Sequence, residues 1–223
     1  MKIYKTIALL FFTGSALSTA FSSFAQENTL RLGLIHINPH SSATDLVGPL
    51  TPPGANLQVM NKSTLTIGYA RRLTENLELE LAFGIPPKHD VEGRGALQTA
   101  GVIAKVKQTA PTLFLNYKFF DENTALRPFV GLGVNHTRFS STVTPEGNIA
   151  SGGPTVHSLS SSTGWAAQAG LSYAVDKQWS IVASIATADV STDLKSVTND
   201  TVIRRSNISF NPVAVAISAA YRF

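Results

Sequence analysis

Apolar and polar residues alternate with a period of two in eight stretches of this chain, and the last is the clearest. Within residues 210–223, Val213, Val215, Ile217, Ala219, Tyr221 and Phe223 share one face, while Ala214, Ala216, Ser218, Ala220 and Arg222 share the other. That is the period of a strand, not of a helix. Seven earlier stretches repeat it, near 29–37, 63–72, 77–85, 110–120, 126–137, 164–174 and 178–189. Each suits a tilted strand of about 9–11 residues crossing the hydrocarbon of a bilayer.

The connections between these stretches are 25, 4, 24, 5, 26, 3 and 20 residues long, a regular alternation of long and short. Thr74-Glu75-Asn76, Asp121-Glu122-Asn123-Thr124 and Asp176-Lys177 in the short ones carry turn chemistry. Short turns on one side, long loops on the other and an even strand count are the pattern of an outer-membrane barrel with both termini periplasmic. The long connections, rich in Ser, Thr, Gly and Pro, are read as loops without a helix. The sequence thus predicts an all-β fold: an eight-stranded antiparallel transmembrane β-barrel.

The facing pattern supports that fold. One face collects Leu30, Leu32 and Leu34, then Leu65, Ile67 and Tyr69, Leu79, Leu81 and Phe83, Leu113, Leu115 and Tyr117, and Ile181 and Ile185. Its one full charge, Arg71, lies next to a short turn, from which a long side chain can snorkel. A cation at the bilayer midplane costs about 2–4 kcal/mol, so this face suits lipid. A slip of one residue would put Glu78 and Glu80 there instead. Phe119, Phe120, Tyr173, Trp179, Tyr221 and Phe223 gather beside the short turns as an aromatic girdle.

Composition narrows the picture. Lys2 and Lys5 precede an uncharged apolar run to about Ala20, and Ser23-Phe24-Ala25 offers small residues for a peptidase, so residues 1–25 read as a cleaved signal peptide and residues 26–223 as a single barrel domain. Removing that leader takes two lysines from a chain of net charge +4, which leaves little basic excess for a nucleic-acid partner. The chain has no cysteine, which excludes disulfides and thiolate metal sites.

The inward face carries the candidate chemistry. Arg31, Arg72, Glu78, Glu80, Lys118, Arg127 and Arg222 all point inward near a terminus or a short turn, and together they predict a salt-bridged plug closing the periplasmic end. Above them the inward positions turn small or apolar, with Ile35, Ala82, Phe114, Gly131 and Gly133 as candidate lining residues. Two readings stay open: a narrow apolar cavity, or small residues fitting the taper of a filled barrel. Trp165 is a further candidate lining residue. Strict alternation turns it outward, whereas a bulge beneath it would turn it into the lumen. Pro39, Pro86, Pro87, Pro111 and Pro212 stand at outer strand ends, where each removes a ladder donor; they either stop strands or weaken the wall into a lateral exit.

Arg31-x-Gly33, Glu80-Leu81, Pro86-x-Lys88-His89, Ala110-Pro111-Thr112-Leu113, Arg127-Pro128-Phe129-Val130-Gly131-x-Gly133-x-Asn135, Gly164-Trp165-Ala166-Ala167-Gln168-x-Gly170 and the terminal Tyr221-Arg222-Phe223 occur in the order seen in the outer membrane protein W (OmpW) family. The mature chain resembles that family from end to end. The resemblance implies an eight-stranded outer-membrane barrel with a hydrophobic tunnel, closed toward the periplasm, that admits small apolar molecules and releases them through its wall. Where the family can carry a bulky leucine beside the glutamate, this chain has Ala82, so a wider constriction is expected.

The histidines do not suggest catalysis. His36 and His40 have a helical spacing on a strand that breaks at Pro39, and neighbours such as His89-Asp90 and His157-Ser158 point apart on a strand. No cofactor, no metal and no enzymatic activity are expected. The expected function is passive passage of small hydrophobic solutes, with outer-membrane lipid as surroundings and the barrel-assembly machinery as a partner through Tyr221-Phe223. The alternative is a filled barrel whose long loops bind phage, bacteriocin or host surfaces.

Overall fold

A computed structural model of the chain describes residues 28–223, and the expected leader lies outside them. In chain order the strands are β1 (Asn28–Asn38), β2 (Ser42–Ala43), β3 (Ala55–Val59), β4 (Lys62–Arg72), β5 (Leu77–Gly84), β6 (Lys88–Gly95), β7 (Val102–Thr109) and β8 (Thr112–Lys118). There follow β9 (Leu126–Val143), helix α1 (Pro145–Ser151), β10 (Thr155–Leu159), β11 (Ser162–Ala174), β12 (Trp179–Ala188), β13 (Val190–Thr198), β14 (Val202–Phe210) and β15 (Val213–Arg222).

Eight of these close a barrel in the order β11-β12-β15-β1-β4-β5-β8-β9, with β9 pairing back to β11. They are the eight strands that the alternation predicts, with ends shifted by no more than a few residues except where β9 runs on to Val143. The termini meet at the seam, where Asn28 and Phe223 exchange backbone hydrogen bonds of 3.0 and 2.9 Å. The ladders run from strand to strand around the closed circle, which is how a sheet can lie in hydrocarbon. Leu30, Leu32, Leu34, Leu113, Leu132 and Ile217 stand exposed on the outside, and Arg31, Glu78, Glu80 and Asn116 are buried inside. Trp179 and Tyr221 pack with ring centres 4.9 Å apart at the end bearing the short turns.

The long connections differ from their reading as loops. They fold into two sheets standing on the outer rim: β3-β6-β7 continued by the upper half of β9, and β10-β13-β14-β2. The two sheets share an apolar core of Leu57, Val59, Val91, Ile103, Ala104, Val190, Leu194, Ile208 and Phe210. Phe139 stacks on Phe210 across it, centroids 5.6 Å apart. The period of two is present in β13, but its buried face reads Val190, Thr192, Leu194, Ser196 and Thr198, so three of its five inward positions are hydroxyls. Helix α1 likewise carries its own signals: the Thr144 hydroxyl accepts from Gly147 N–H at 3.1 Å, Pro145 follows it, and Gly152 ends the helix at φ 87°.

His157 lines a small pocket in that outer core beside Leu159, Leu194 and Ile208, with Nδ1 3.2 Å from the Ser141 hydroxyl. Burial pushes its imidazole down to about 4. A base held below its unfolded value of about 6.5 binds fewer protons when folded, so its stabilising share is complete above that pH and falls as pH drops toward 4. Going from pH 7 to pH 4 is expected to weaken the outer sandwich by about 2–3 kcal/mol. Amide exchange in β10 and β13, corrected for its intrinsic pH dependence, should report this, and His157→Leu should remove most of it.

Candidate functional site

Inside the barrel the inward side chains fall into three levels. The lowest ties the turns together. Arg127 reaches from β9 to carbonyl oxygens, Nε to Phe119 at 3.1 Å and Nη2 to Phe120 at 2.7 Å and Glu75 at 3.0 Å. Phe120 itself sits at φ 64°, a backbone conformation rare outside glycine, and Asn76 also donates to its carbonyl at 2.9 Å. Arg72 pairs with Glu122 of the turn, and Arg222 lines the same cleft with Arg127 and Lys118.

The middle level is a closed ionic network. Arg31 contacts Glu78 through Nη2 at 2.5 Å and Glu80 through Nη1 at 2.7 Å, and Lys118 Nζ lies 2.5 Å from the second Glu78 oxygen. The second Glu80 oxygen accepts from Asn116 at 2.7 Å and from Gln168 at 2.9 Å. The Arg31 guanidinium lies 5.9 Å from the ring centre of Phe129, which is itself buried. Arg31, Glu78, Glu80 and Lys118 are thus brought together, whereas Arg72, Arg127 and Arg222 sit below them at the turns. A search for charged residues alone misses Asn116, Gln168 and Phe129, although strand parity places all three inward.

Above the network lies a cavity of about 160 Å³. Ile35, Ala82, Phe114, Ala186, Ala214 and Ala216 supply apolar wall, with Arg31, Glu80 and Gln168 in the floor. The upper lumen is therefore hollow, but not where the glycines suggested. Gly131 and Gly133 do not line the cavity. A Cβ on Gly131 would meet Asn116 Oδ1 at 2.1 Å, and one on Gly133 would meet the Leu113 carbonyl oxygen at 2.2 Å and the Phe114 ring at 2.8 Å. Their missing side chains make room for Asn116 and Phe114, which fill the space. Trp165 is corrected too. Strands β9 and β11 pair without a bulge from Ser162↔Thr137 to Tyr173↔Leu126, so alternation is unbroken and Trp165 stands 56% exposed on the outer wall.

The cavity reaches the wall at one place in particular. Pairing of β5 with β8 stops at Ala82↔Thr112, and the β6–β7 ladder begins only at Lys88↔Lys107. Phe83, Gly84, Pro87, Gln108 and Ala110, which border that break, also line the cavity. Ile85 donates to Leu65 on β4, so the neighbouring Pro86 turns its missing N–H toward the break. The Pro111 carbonyl accepts from His136 N–H on β9, so its missing donor faces away from the break. Pro87 faces the break as well, its carbonyl accepting from Gln108 N–H at 3.2 Å, so Pro86 and Pro87 are the prolines that leave this edge short of donors.

A hollow eight-stranded barrel with this floor finds its match among known proteins. The model of the OmpW family covers residues 26–223. The chain belongs to the OmpW family. Outer membrane protein W of Salmonella typhimurium is 31% identical over 98% of this chain and 98% of its own. The crystal structure of the outer membrane protein OprG from Pseudomonas aeruginosa shares the fold with a TM-score of 0.81 at 24% identity, over 89% of this chain and 96% of that one. A more distant relative, 27% identical over 61% of this chain and 63% of its own, is the dibenzothiophene metabolism operon protein PahQ of Pseudomonas aeruginosa. This OmpW-family chain is an outer-membrane β-barrel, and its relatives are barrels of that membrane.

Proposed function

We propose that this OmpW-family barrel passes small hydrophobic solutes from the cell exterior into the outer membrane, entering from above and leaving sideways between β5 and β8. The observation that carries this reading is the cavity: mostly apolar walls, a floor sealed by the Arg31–Glu78–Glu80–Lys118 network, and a border on the break in the wall. The floor denies a straight path to the periplasm, and the wall offers a solute a mostly apolar path into the bilayer. Binding in such a cavity must stay weak enough for exit. The name of the PahQ relative, which places it in an operon for metabolism of dibenzothiophene, an aromatic sulfur heterocycle, fits a solute of this class. Residues 1–25 would serve as the leader, and Tyr221–Phe223 as the end presented to the assembly machinery.

A second reading rests on the outer sandwich, whose own apolar core makes it a rigid platform for contacts with other surfaces. Uptake separates the two. Barrels in liposomes should load an apolar fluorescent probe faster than protein-free liposomes, and equal rates would leave only the platform. Pro86→Val supplies an N–H toward the break, and one net hydrogen bond of about 0.5–1.5 kcal/mol should slow loading about two- to tenfold. Pro111→Val, whose new donor faces β9, should change it less. Equal rates for wild type and Pro86→Val would discard the lateral exit.

A further inference from the structure

The floor of the cavity carries polar groups that no neighbour uses. Ser184 on β12 and Ser218 on β15 both line it, yet among the described residues neither hydroxyl makes a hydrogen bond. Neither is sealed off: among the described residues, the buried polar side-chain atoms without a partner are Arg31 Nε and His89 Nε2. Gln168 on β11 gives its Nε2 to Glu80 and Asn116 and leaves Oε1 open as an acceptor.

These three groups form a staircase across adjacent strands. Gln168 pairs with Ala186 and Ser184 lies two residues along, while Ser184 pairs with Ala216 and Ser218 lies two residues along. Such diagonal neighbours stand about 7–8 Å apart, so one small molecule can touch more than one of them. The inward positions beside them are Val182, Ala186, Ala214, Ala216 and Ala220, so alanine would satisfy the wall equally well. A hydroxyl that water can reach is able to exchange that water for a solute's polar group, which an alanine methyl cannot do. Serine at these two positions therefore equips the floor to hold a solute's polar end.

We infer that the cavity takes neutral amphiphiles that carry a hydroxyl, held polar end down. The solute's O–H donates to Gln168 Oε1, its oxygen accepts from Ser184 or Ser218, and its apolar body lies against Ile35, Ala82 and Phe114. A carboxylate is disfavoured, because both arms of Arg31 are already committed to Glu78 and Glu80, and Glu80 itself lines the floor. Size agrees: the cavity measures about 160 Å³, and an apolar cavity of about 150 Å³ is enough to hold benzene. This inference rests on the proposed passage of hydrophobic solutes and narrows its substrate class to alcohols and phenols.

The test uses the intact protein from outer membranes in lipid nanodiscs, titrated with toluene and with benzyl alcohol and followed by ligand-observed NMR. The double variant Ser184→Ala/Ser218→Ala should shift the ratio of the two dissociation constants against benzyl alcohol by about three- to tenfold, the loss of one or two hydrogen bonds. Heat-modifiable mobility on gels verifies that the variant is folded. In the wild type, Overhauser contacts should place the benzyl CH₂ near Ser218 and the ring near Phe114. An unchanged ratio, or a ring lying at the floor, overturns the inference and leaves the uptake proposal standing. Failure of both solutes to bind the wild type overturns the two together.

Discussion

Arg31→Met is expected to lower the unfolding free energy of the barrel by about 3–5 kcal/mol, because it leaves Glu78 and Glu80 buried as carboxylates without their shared cation. Both are nearly inaccessible, and Arg31 is the group that joins them. Lys118 would still hold Glu78, but Glu80 would keep only the neutral donors Asn116 and Gln168. The cost is that of an orphaned charge, so it should largely disappear when the charge goes too. Arg31→Met/Glu80→Gln keeps Glu78 with Lys118 and gives Asn116 and Gln168 an amide oxygen to bind, and it should recover most of the loss. Denaturant unfolding in detergent, followed by tryptophan fluorescence, measures both variants. A loss under about 1 kcal/mol for Arg31→Met would mean that water reaches the network and the floor is not sealed.

That network also marks how far the sequence could be read. The eight wall strands were legible because each must present apolar side chains to lipid at alternate positions, and lipid tolerates few charges there. The outer sheets face water on one side and a small core on the other, and that core accepts Thr192, Ser196 and Thr198 beside Val190 and Leu194. Serine and threonine at inward positions look like loop, so β13 and its partners were hidden. Inside the barrel, strand parity turns Arg31, Glu78, Glu80 and Lys118 inward, but it does not say which of them meet. Whether a glycine leaves a void depends on the neighbours' side chains, and nothing local says that Asn116 leans over Gly131. The Trp165 question turned on a bulge, a property of two paired strands that neither strand's sequence declares.

The absence of bulk at Ala82 yields the sharpest functional expectation. Ala82 sits two residues above Glu80 on the same face of β5, pairs with Thr112, and is a diagonal neighbour of Phe114, with which it lines the cavity. Ala82→Phe would direct a second phenyl ring into a space of about 160 Å³, where an apolar cavity of about 150 Å³ is filled by one benzene. Unlike an overpacked core, this site offers empty volume to receive the ring, so the barrel should fold with little loss and instead lose its cavity. Loading of an apolar probe into liposomes is then expected to fall by at least about tenfold, toward the protein-free rate, a change equivalent to about 1.4 kcal/mol or more in the barrier. Ala82→Ser, which keeps the volume, should retain most of the rate. Uptake undiminished by Ala82→Phe would mean that solutes travel along the outer wall or through the sandwich and that the lumen is not their route.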